Sequence, residues 1–430
     1  MLTVGDVAAS ISVTHSLTQA RLVFLNTSDI ERGRILHKNY TEVATWPGQA
    51  KKSIRKGDIL FSEIRPANGR YAFVDFEADD YVVSTKLMVI RPKPGKVLPR
   101  FLYHFLTSRK ITDWLQHLAE SRSGTFPQIT FDQVAELELT NLSDREQQAI
   151  VQLLDALDEK LEQNRRTARA LERLGRAIFK SWFVDFDPVK AKTEGASSFP
   201  SMPQAVFDAL PTCFSGSENG PMPEGWKLKT IGELAIRISM GPFGSDIKTD
   251  NFVSDGVPVI RGGNLTDGFV DEGFVYLTAA KADQLASANA FPGDIVITHR
   301  GTLGQVGLIP AKSRHPRYVV SQSQMLVRPA DELPSHFLYL FLTSPIGQYE
   351  LLANRSQTGV PAISRPTTSV KAIRVIVPEK SLSLNFESIV STLFDSRAAI
   401  AVESRKLTEL RDYLLPRLLN GAVRIEDTNG

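Results

Sequence analysis

The sequence predicts an α+β fold: two globular modules of a shared mixed architecture, separated by two long helices that pair as an antiparallel coiled coil. Three observations carry that prediction. The octapeptide "FLYHFLTS" at 101–108 returns as "FLYLFLTS" at 337–344, with seven of eight letters kept over 236 positions. The matches flanking it keep their order along the chain. Each copy is then followed by a long run with apolar residues every seven positions.

The repeat begins with "TVGDVAASIS" (3–12) against "TIGELAIRIS" (230–239). It continues with "KGDILFSEIRP" (56–66) against "PGDIVITHRG" (292–301) and "YVVSTKLMVIRP" (81–92) against "YVVSQSQMLVRP" (318–329). After the octapeptide come "SGTFPQIT" (123–130) and "TGVPAIS" (358–364), and the offsets drift only between 227 and 237. Runs such as "DIVIT", "VPVI" and "YVV" read as strands, and the FLY…FLTS segments as short amphipathic helices. The first module spans 1–143 and the second 223–383.

The first long helix is expected over 144–183. Ser143 and Glu146 have the spacing of a capping box at its start. Leu154, Leu161 and Ala168 form one stripe of a heptad seam, and Ile150, Leu157, Asn164, Leu171 and Ile178 the other. The second helix is expected over 384–421, with Leu393, Ile400, Leu407 and Leu414 on one stripe. Ile389, Ser396, Glu403 and Leu410 make its other stripe, and Asn420-Gly421 a stop. A lone seam of this kind usually packs on its own domain. Two of equal length at equivalent repeat positions favour pairing with each other, antiparallel because each closes its own repeat. Between them, 184–222 is rich in Pro, Gly and Ser and reads as a linker with a short helix at "PQAVFDAL". Residues 422–430 read as a tail.

Composition narrows the function classes. The chain's 430 residues are 42% hydrophobic and 23% charged, as in soluble globular proteins. Its longest apolar runs are too short to span a bilayer, and the start lacks a basic, apolar leader, so a cytoplasmic protein without membrane contact is expected. Cys213 is the single cysteine, which excludes an internal disulfide and a cysteine-cluster metal site; no metal is expected. The net charge of +2 neither favours nor opposes nucleic acid. No phosphate loop is present: "GPFGSDIK" (241–248) misplaces its lysine, and "RGTLGQVG" (300–307) reads as a tight strand connection. The seven histidines form no ligand pair, His104 reading as a packing or helix-surface residue. There is no G-x-S-x-G elbow, and "DFDPV" (185–189) lacks the second proline and aromatic of an adenine methyltransferase motif.

The copies differ in their polar loops. "RPANGR" (65–70) in the first module stands against "HRGTLGQ" (299–305) in the second, which adds "VIRGGNL" (259–265). Arginine can pair bidentately with guanine and Asn or Gln with adenine, which suits such loops to reading base edges. Lys51, Lys52, Arg55 and Lys56, and again Lys312, Arg314 and Arg317, could meet phosphates. For any one of these residues a solvated loop is the more common reading; the duplication is the stronger signal.

The chain closely resembles the specificity (S) subunit of type I restriction-modification systems, over nearly its whole length. "GPFGSDIKTDNFVSDGVPVIRGGNL" (241–265) and "PGDIVITHRGTLGQVGLIP" (292–310) resemble a target-recognition domain of that family. "REQQAIVQLLDALDEKLEQN" (145–164), "AIFKSWFVDFDPV" (177–189) and "NGPMPEGW" (219–226) are similar to its central conserved region. "LRDYLLPRLLNGAVRI" (410–425) is similar to its distal one. The first module departs, its counterpart of 241–265 being barely recognisable.

The resemblance implies two target-recognition domains, each reading one half of a bipartite site in double-stranded DNA, with the helices as spacer. It implies partners: two methyltransferase (M) subunits that use S-adenosylmethionine, and two restriction/translocase (R) subunits. It implies that this chain binds no cofactor and has no active site. The candidate DNA contacts are Lys248, Arg261, Asn264, Arg300, Thr302 and Gln305 in the second module, and Arg65, Asn68 and Arg70 in the first. A coiled-coil scaffold with two protein-binding modules and no nucleic acid is the alternative. A solitary enzyme of unfamiliar type is a third.

Overall fold

The computed structural model describes residues 2–425 apart from 49, 123–126, 201, 218–219, 243–245, 267 and 357–358. Contacts divide the chain into two units, Met1–Gln163 with Glu403–Gly430, and Asn164–Val402. The parts of "SGTFPQIT", "TGVPAIS", "GPFGSDIK" and the C-terminal tail that fall in the gaps lie outside the described residues.

The first unit holds strands β1 (Ala8–Ile11), β2 (Arg21–Leu25), β3 (Tyr40–Glu42), β4 (Ala50–Ser53), β5 (Ile59–Ser62), β6 (Tyr71–Phe73), β7 (Tyr81–Ser84) and β8 (Leu87–Pro92). Helix α1 (Pro99–Thr107) and the start of the 40-residue helix α2 (Asp144–Phe183) follow. Two four-stranded sheets form, in the orders β3-β2-β7-β4 and β1-β8-β5-β6. Within them only β2 and β7 run parallel. The strands are continuously apolar because the β1-β8-β5-β6 sheet is covered on both faces. Ile59 and Phe61 point to the helices, while Leu60 between them packs among residues of the other sheet.

The second unit repeats this plan. Its strands are β9 (Ala235–Met240), β10 (Val257–Ile260), β11 (Val275–Leu277), β12 (Asn289–Ala290), β13 (Ile295–Thr298), β14 (Val306–Leu308), β15 (Tyr318–Val320) and β16 (Gln324–Pro329). Helix α3 (Ser335–Thr343) and the 40-residue helix α4 (Lys380–Leu419) complete it, α4 passing at its end into the first unit. The orders β11-β10-β15-β12 and β9-β16-β13-β14 match those of the first unit, again with one parallel pair, β10 with β15. A short strand at Phe252–Val253 is added beside β11.

The octapeptide helices depart from the amphipathic expectation. Phe101–Leu106 in α1 and Phe337–Leu342 in α3 are buried all round, because each helix is held between a sheet and a long helix. His104 is neither on the surface nor a simple packing residue. It is 4% exposed, and its Nε2 lies 2.8 Å from Asp155 of α2, which Arg100 also reaches.

The segment 184–222 is packed rather than a linker. It contains the helices Asp187–Thr193 and Gln204–Asp208 and a hairpin, Phe214–Ser217 with Gly220–Pro223. Val189, Met202, Val206, Phe207 and Leu210 join the core of the second unit beside Trp182, Phe183 and Trp226. Five well-placed apolar residues outweigh the Pro/Gly/Ser composition that suggested a linker.

Ser143 and Glu146 exchange the reciprocal hydrogen bonds of a capping box at the start of α2. The helices pair antiparallel within each unit. In the first, Ile150 and Leu154 meet Leu415, Leu418 and Leu419, and the Arg411 guanidinium lies 3.0 Å from Asp158. In the second, Phe179, Trp182 and Phe183 meet Phe386 and Val390, Gly175 faces Phe394, and Arg397 lies 3.4 Å from Glu172. One stripe of α4 is displaced by a residue from the expected one. Ser396, Glu403 and Leu410 are exposed, and Val390, Arg397, Arg411 and Leu418 take the inward positions. Polar side chains at those sites hid the true stripe from an apolar-heptad reading.

Candidate nucleic-acid interface

Each unit carries two loops at equivalent positions in its sandwich. The first joins β5 to β6 at 63–70, and β13 to β14 at 299–305. The second follows β2 at 26–29, and β10 at 261–265. The frame beneath them is duplicated in atomic detail. Asp58 accepts the Arg55 backbone N–H and a bidentate pair of bonds from Arg91, at 2.7 Å each. Asp294 accepts the Phe291 N–H and the same two bonds from Arg328, also 2.7 Å each. Both carboxylates are nearly fully buried, and their charge holds each arginine above its usual pKa through the shared hydrogen bonds.

In the second unit the structure places the 261–265 loop against the 299–305 hairpin, where a side chain on Gly262 would approach the Gln305 amide. Arg261, Arg300 and Thr302 are exposed there. Gln305 is half-buried and accepts from the Thr298 hydroxyl at 3.0 Å, so its amide is partly committed to the frame. Asn264 departs from the expected base contact. It is 4% exposed, its Oδ1 accepts the Arg261 N–H at 3.0 Å, and its Nδ2 donates to the Glu272 carbonyl at 2.7 Å. Asn264 shapes the loop that presents Arg261. Lys248 is exposed at the start of a short turn at Thr249–Asn251, and among the described residues no hydrogen bond or ion pair joins it to the other candidates.

Gly301, at φ 92°, donates its N–H to Pro361, and Arg300 bridges to Ala362, so a second segment lies along the hairpin. Its exposed Arg355 and Arg365 were not among the sequence candidates. The neighbouring His299 is held below its usual pKa chiefly by burial and donates Nε2–H to the Gln322 carbonyl at 3.1 Å.

In the first unit Arg65 and Asn68 are exposed and bracket a tight turn, Pro66–Asn68. Arg70 instead donates to the Ser28 and Ile30 carbonyls, tying the 26–35 segment to the hairpin; this use of its donors argues against a free base contact. The counterpart of "RGGN", invisible in the letters, is Asn26–Asp29. The Asp29 carboxylate accepts the Asn26 N–H at 2.8 Å, as Asn264 does for Arg261. This counterpart was not read from the sequence; the spacing of Asn26 and Asp29 was the available signal, and the unlike letters of β2 and β10 obscured it.

Both supposed phosphate clusters lose members to the frame, while Lys51, Arg55, Lys56 and Arg314 stay exposed. Lys52 is buried and donates to the Thr85 and Leu87 carbonyls. Lys312 and Arg317 face Asp395 and Asp283. Among the described residues no group of three His, Cys, Asp or Glu could hold a metal, and no helix is long and apolar enough to cross a membrane. Cys213 is exposed, with its thiol on the Glu224 carboxylate, which raises its pKa.

Two copies of one sandwich, alike in their frame and different in their loops, with two long helices, define a duplicated recognition scaffold. The chain belongs to the family described as type I restriction modification DNA specificity domain, whose match covers residues 29–173 and 223–411. It is thus a DNA-recognition subunit of type I restriction-modification. Among curated relatives, the type I restriction enzyme HindI specificity subunit of Haemophilus influenzae is 36% identical over 97% of this chain and 98% of its own. The MjaIX specificity subunit of Methanocaldococcus jannaschii is 23% identical over 86% of this chain and 79% of its own. The crystal structure of a type I restriction-modification S subunit from M. genitalium shares the fold, with a TM-score of 0.55 at 17% identity over 97% of this chain and 95% of that one.

Proposed function

We propose that each module reads one half of a bipartite site in double-stranded DNA, that the paired helices set the distance between the halves, and that the chain itself catalyses nothing. The observation that carries this reading is the contrast between frame and loops. The Asp58–Arg91 and Asp294–Arg328 pairs are superposable in role, while the turns above them present Arg65 and Asn68 in one unit and Arg261, Arg300 and Thr302 in the other. A protein selected to bind the same partner twice would keep the loops and let the frame drift.

Methyl transfer belongs, in this proposal, to two methyltransferase subunits that bring S-adenosylmethionine and dock on the helices. Cleavage belongs to two restriction/translocase subunits, and the assembly works in the cytoplasm. The test is to assemble the chain with its methyltransferase subunits and map the methylated adenines. Exchanging residues 1–143 for the module of a relative should change one half-site and leave the other untouched. Change in both halves, or no sequence preference at all, would return the scaffold reading to first place.

A further inference from the structure

The first module carries a feature not found among the described residues of its counterpart. After Asp29 the chain forms a two-stranded hairpin, Ile30–Glu31 with Arg34–Ile35, turned by Arg32 and Gly33 at φ 43° and 88°. A two-residue turn with both centres left-handed normally takes Asn or Gly; an arginine there is strained. The turn is docked on the other loop: Arg32 N–H donates to the Gly69 carbonyl at 2.6 Å, and Gly33 N–H to Tyr71 at 2.8 Å. The Arg32 stem lies so close over Gly69, itself left-handed at φ 68°, that a side chain there would collide with it.

On the far side of the same turn sits Arg65, also left-handed, at φ 46°. The equivalent position in the second unit is Gly301: Arg65 N–H donates to Pro127 as Gly301 N–H donates to Pro361. Two arginines therefore occupy backbone positions where glycine is the unstrained choice, one on each side of residues 66–69. Both are exposed, and neither has an ion pair among the described residues. Helix Arg109–Arg122 stiffens the turn from behind, the Gln116 side chain accepting the Ala67 N–H at 3.1 Å, while Arg70 anchors the neighbouring segment.

From this geometry we infer that Arg32 and Arg65 are the specificity-determining residues of the first module, and that they read guanine. Strained backbone at a rigid turn fixes where each side chain emerges, which a phosphate contact does not require. A guanidinium fork is matched by the O6 and N7 acceptors of guanine in the major groove. The inference rests on the proposed reading of DNA by this module, and names the base and the residues that would do it.

The glycine variants separate recognition from folding, because Arg32→Gly and Arg65→Gly relieve the backbone and should melt no lower than the parent. The measurement uses the full chain assembled with its methyltransferase subunits, on duplexes carrying the mapped site. Probe duplexes replace each guanine of the first half-site, on either strand, with 7-deazaguanine. The parent should bind one or two of these roughly 10- to 100-fold more weakly than the unmodified site, and the variants should be indifferent to those same changes. The second half-site should be read as before. Equal weakening on every duplex would reassign both arginines to phosphate, and unchanged discrimination by both variants would overturn the inference outright. If the parent complex itself shows no sequence preference, the proposed function fails rather than this assignment.

Discussion

Asp58 and Asp294 show how a single buried carboxylate can organise a loop. Each caps a turn and holds an arginine of the neighbouring strand by two bonds, so its charge is fully satisfied. Removing the aspartate leaves a half-buried arginine and the backbone N–H of the turn without their partner. Asp294→Ala should therefore cost about 1.5–3 kcal/mol in urea unfolding, whether or not DNA binding is affected. Asn264 acts on a smaller scale. With its amide committed to the backbone of Arg261 and Glu272, Asn264→Ala should destabilise the second unit by about 1–3 kcal/mol. Arg261→Ala should leave the melting temperature unchanged and weaken DNA binding. The reverse pattern in the two variants would restore Asn264 as the contact.

At the level of elements, the short buried helix α1 is tied to α2 by an ionic cluster as well as by apolar packing. Burial would raise the Asp155 carboxyl, but hydrogen bonds from His104 and Arg100 outweigh it and hold the group below its usual pKa. The stabilisation is therefore present above the unfolded carboxyl pKa of about 4, and is lost as pH falls through the lower folded value. Asp155→Asn should cost about 1.5–3 kcal/mol at pH 6, and the gap from the parent should narrow at pH 3. A gap that stays constant with pH would show that packing, not charge, holds α1 to α2. Most elements were legible as letters: the octapeptide, the capping box at Ser143 and the apolar strands each follow from local pattern. The inward stripe of α4 was not, because Arg397 and Arg411 sit in it facing acids that lie more than two hundred residues earlier in the chain.

For the whole molecule, the register of the helix pair is the testable quantity. Asp158 to Glu172 is 14 residues forward and Arg411 to Arg397 is 14 back, equal spacings along the two helices. Inserting one heptad in each helix, after Gln163 and after Val402, would keep both pairs. It would lengthen each helix by about 10.5 Å, near three base pairs of rise. In the assembled complex the gap between half-sites should grow by about three base pairs with both half-sites unchanged. An active double insertion with the original gap would rule out the helices as the spacer. A single insertion in one helix breaks the pairing on one side and should unfold it.

The sequence by itself determined the duplication, the α+β class and the long helices, because these rest on hydrophobic periodicity and on spacings within one element. It also pointed to the loops where the two copies part. Only the tertiary structure decided what each loop residue does. Asn264 turned inward because backbone groups brought close by the fold claimed its amide, and Lys52 because two carbonyls claimed its amine. Arg32 and Arg65, 33 positions apart, came together on one turn through a hairpin docked by backbone hydrogen bonds. Such bonds are made by N–H and C=O groups common to almost every residue, so the letters carry no record of them.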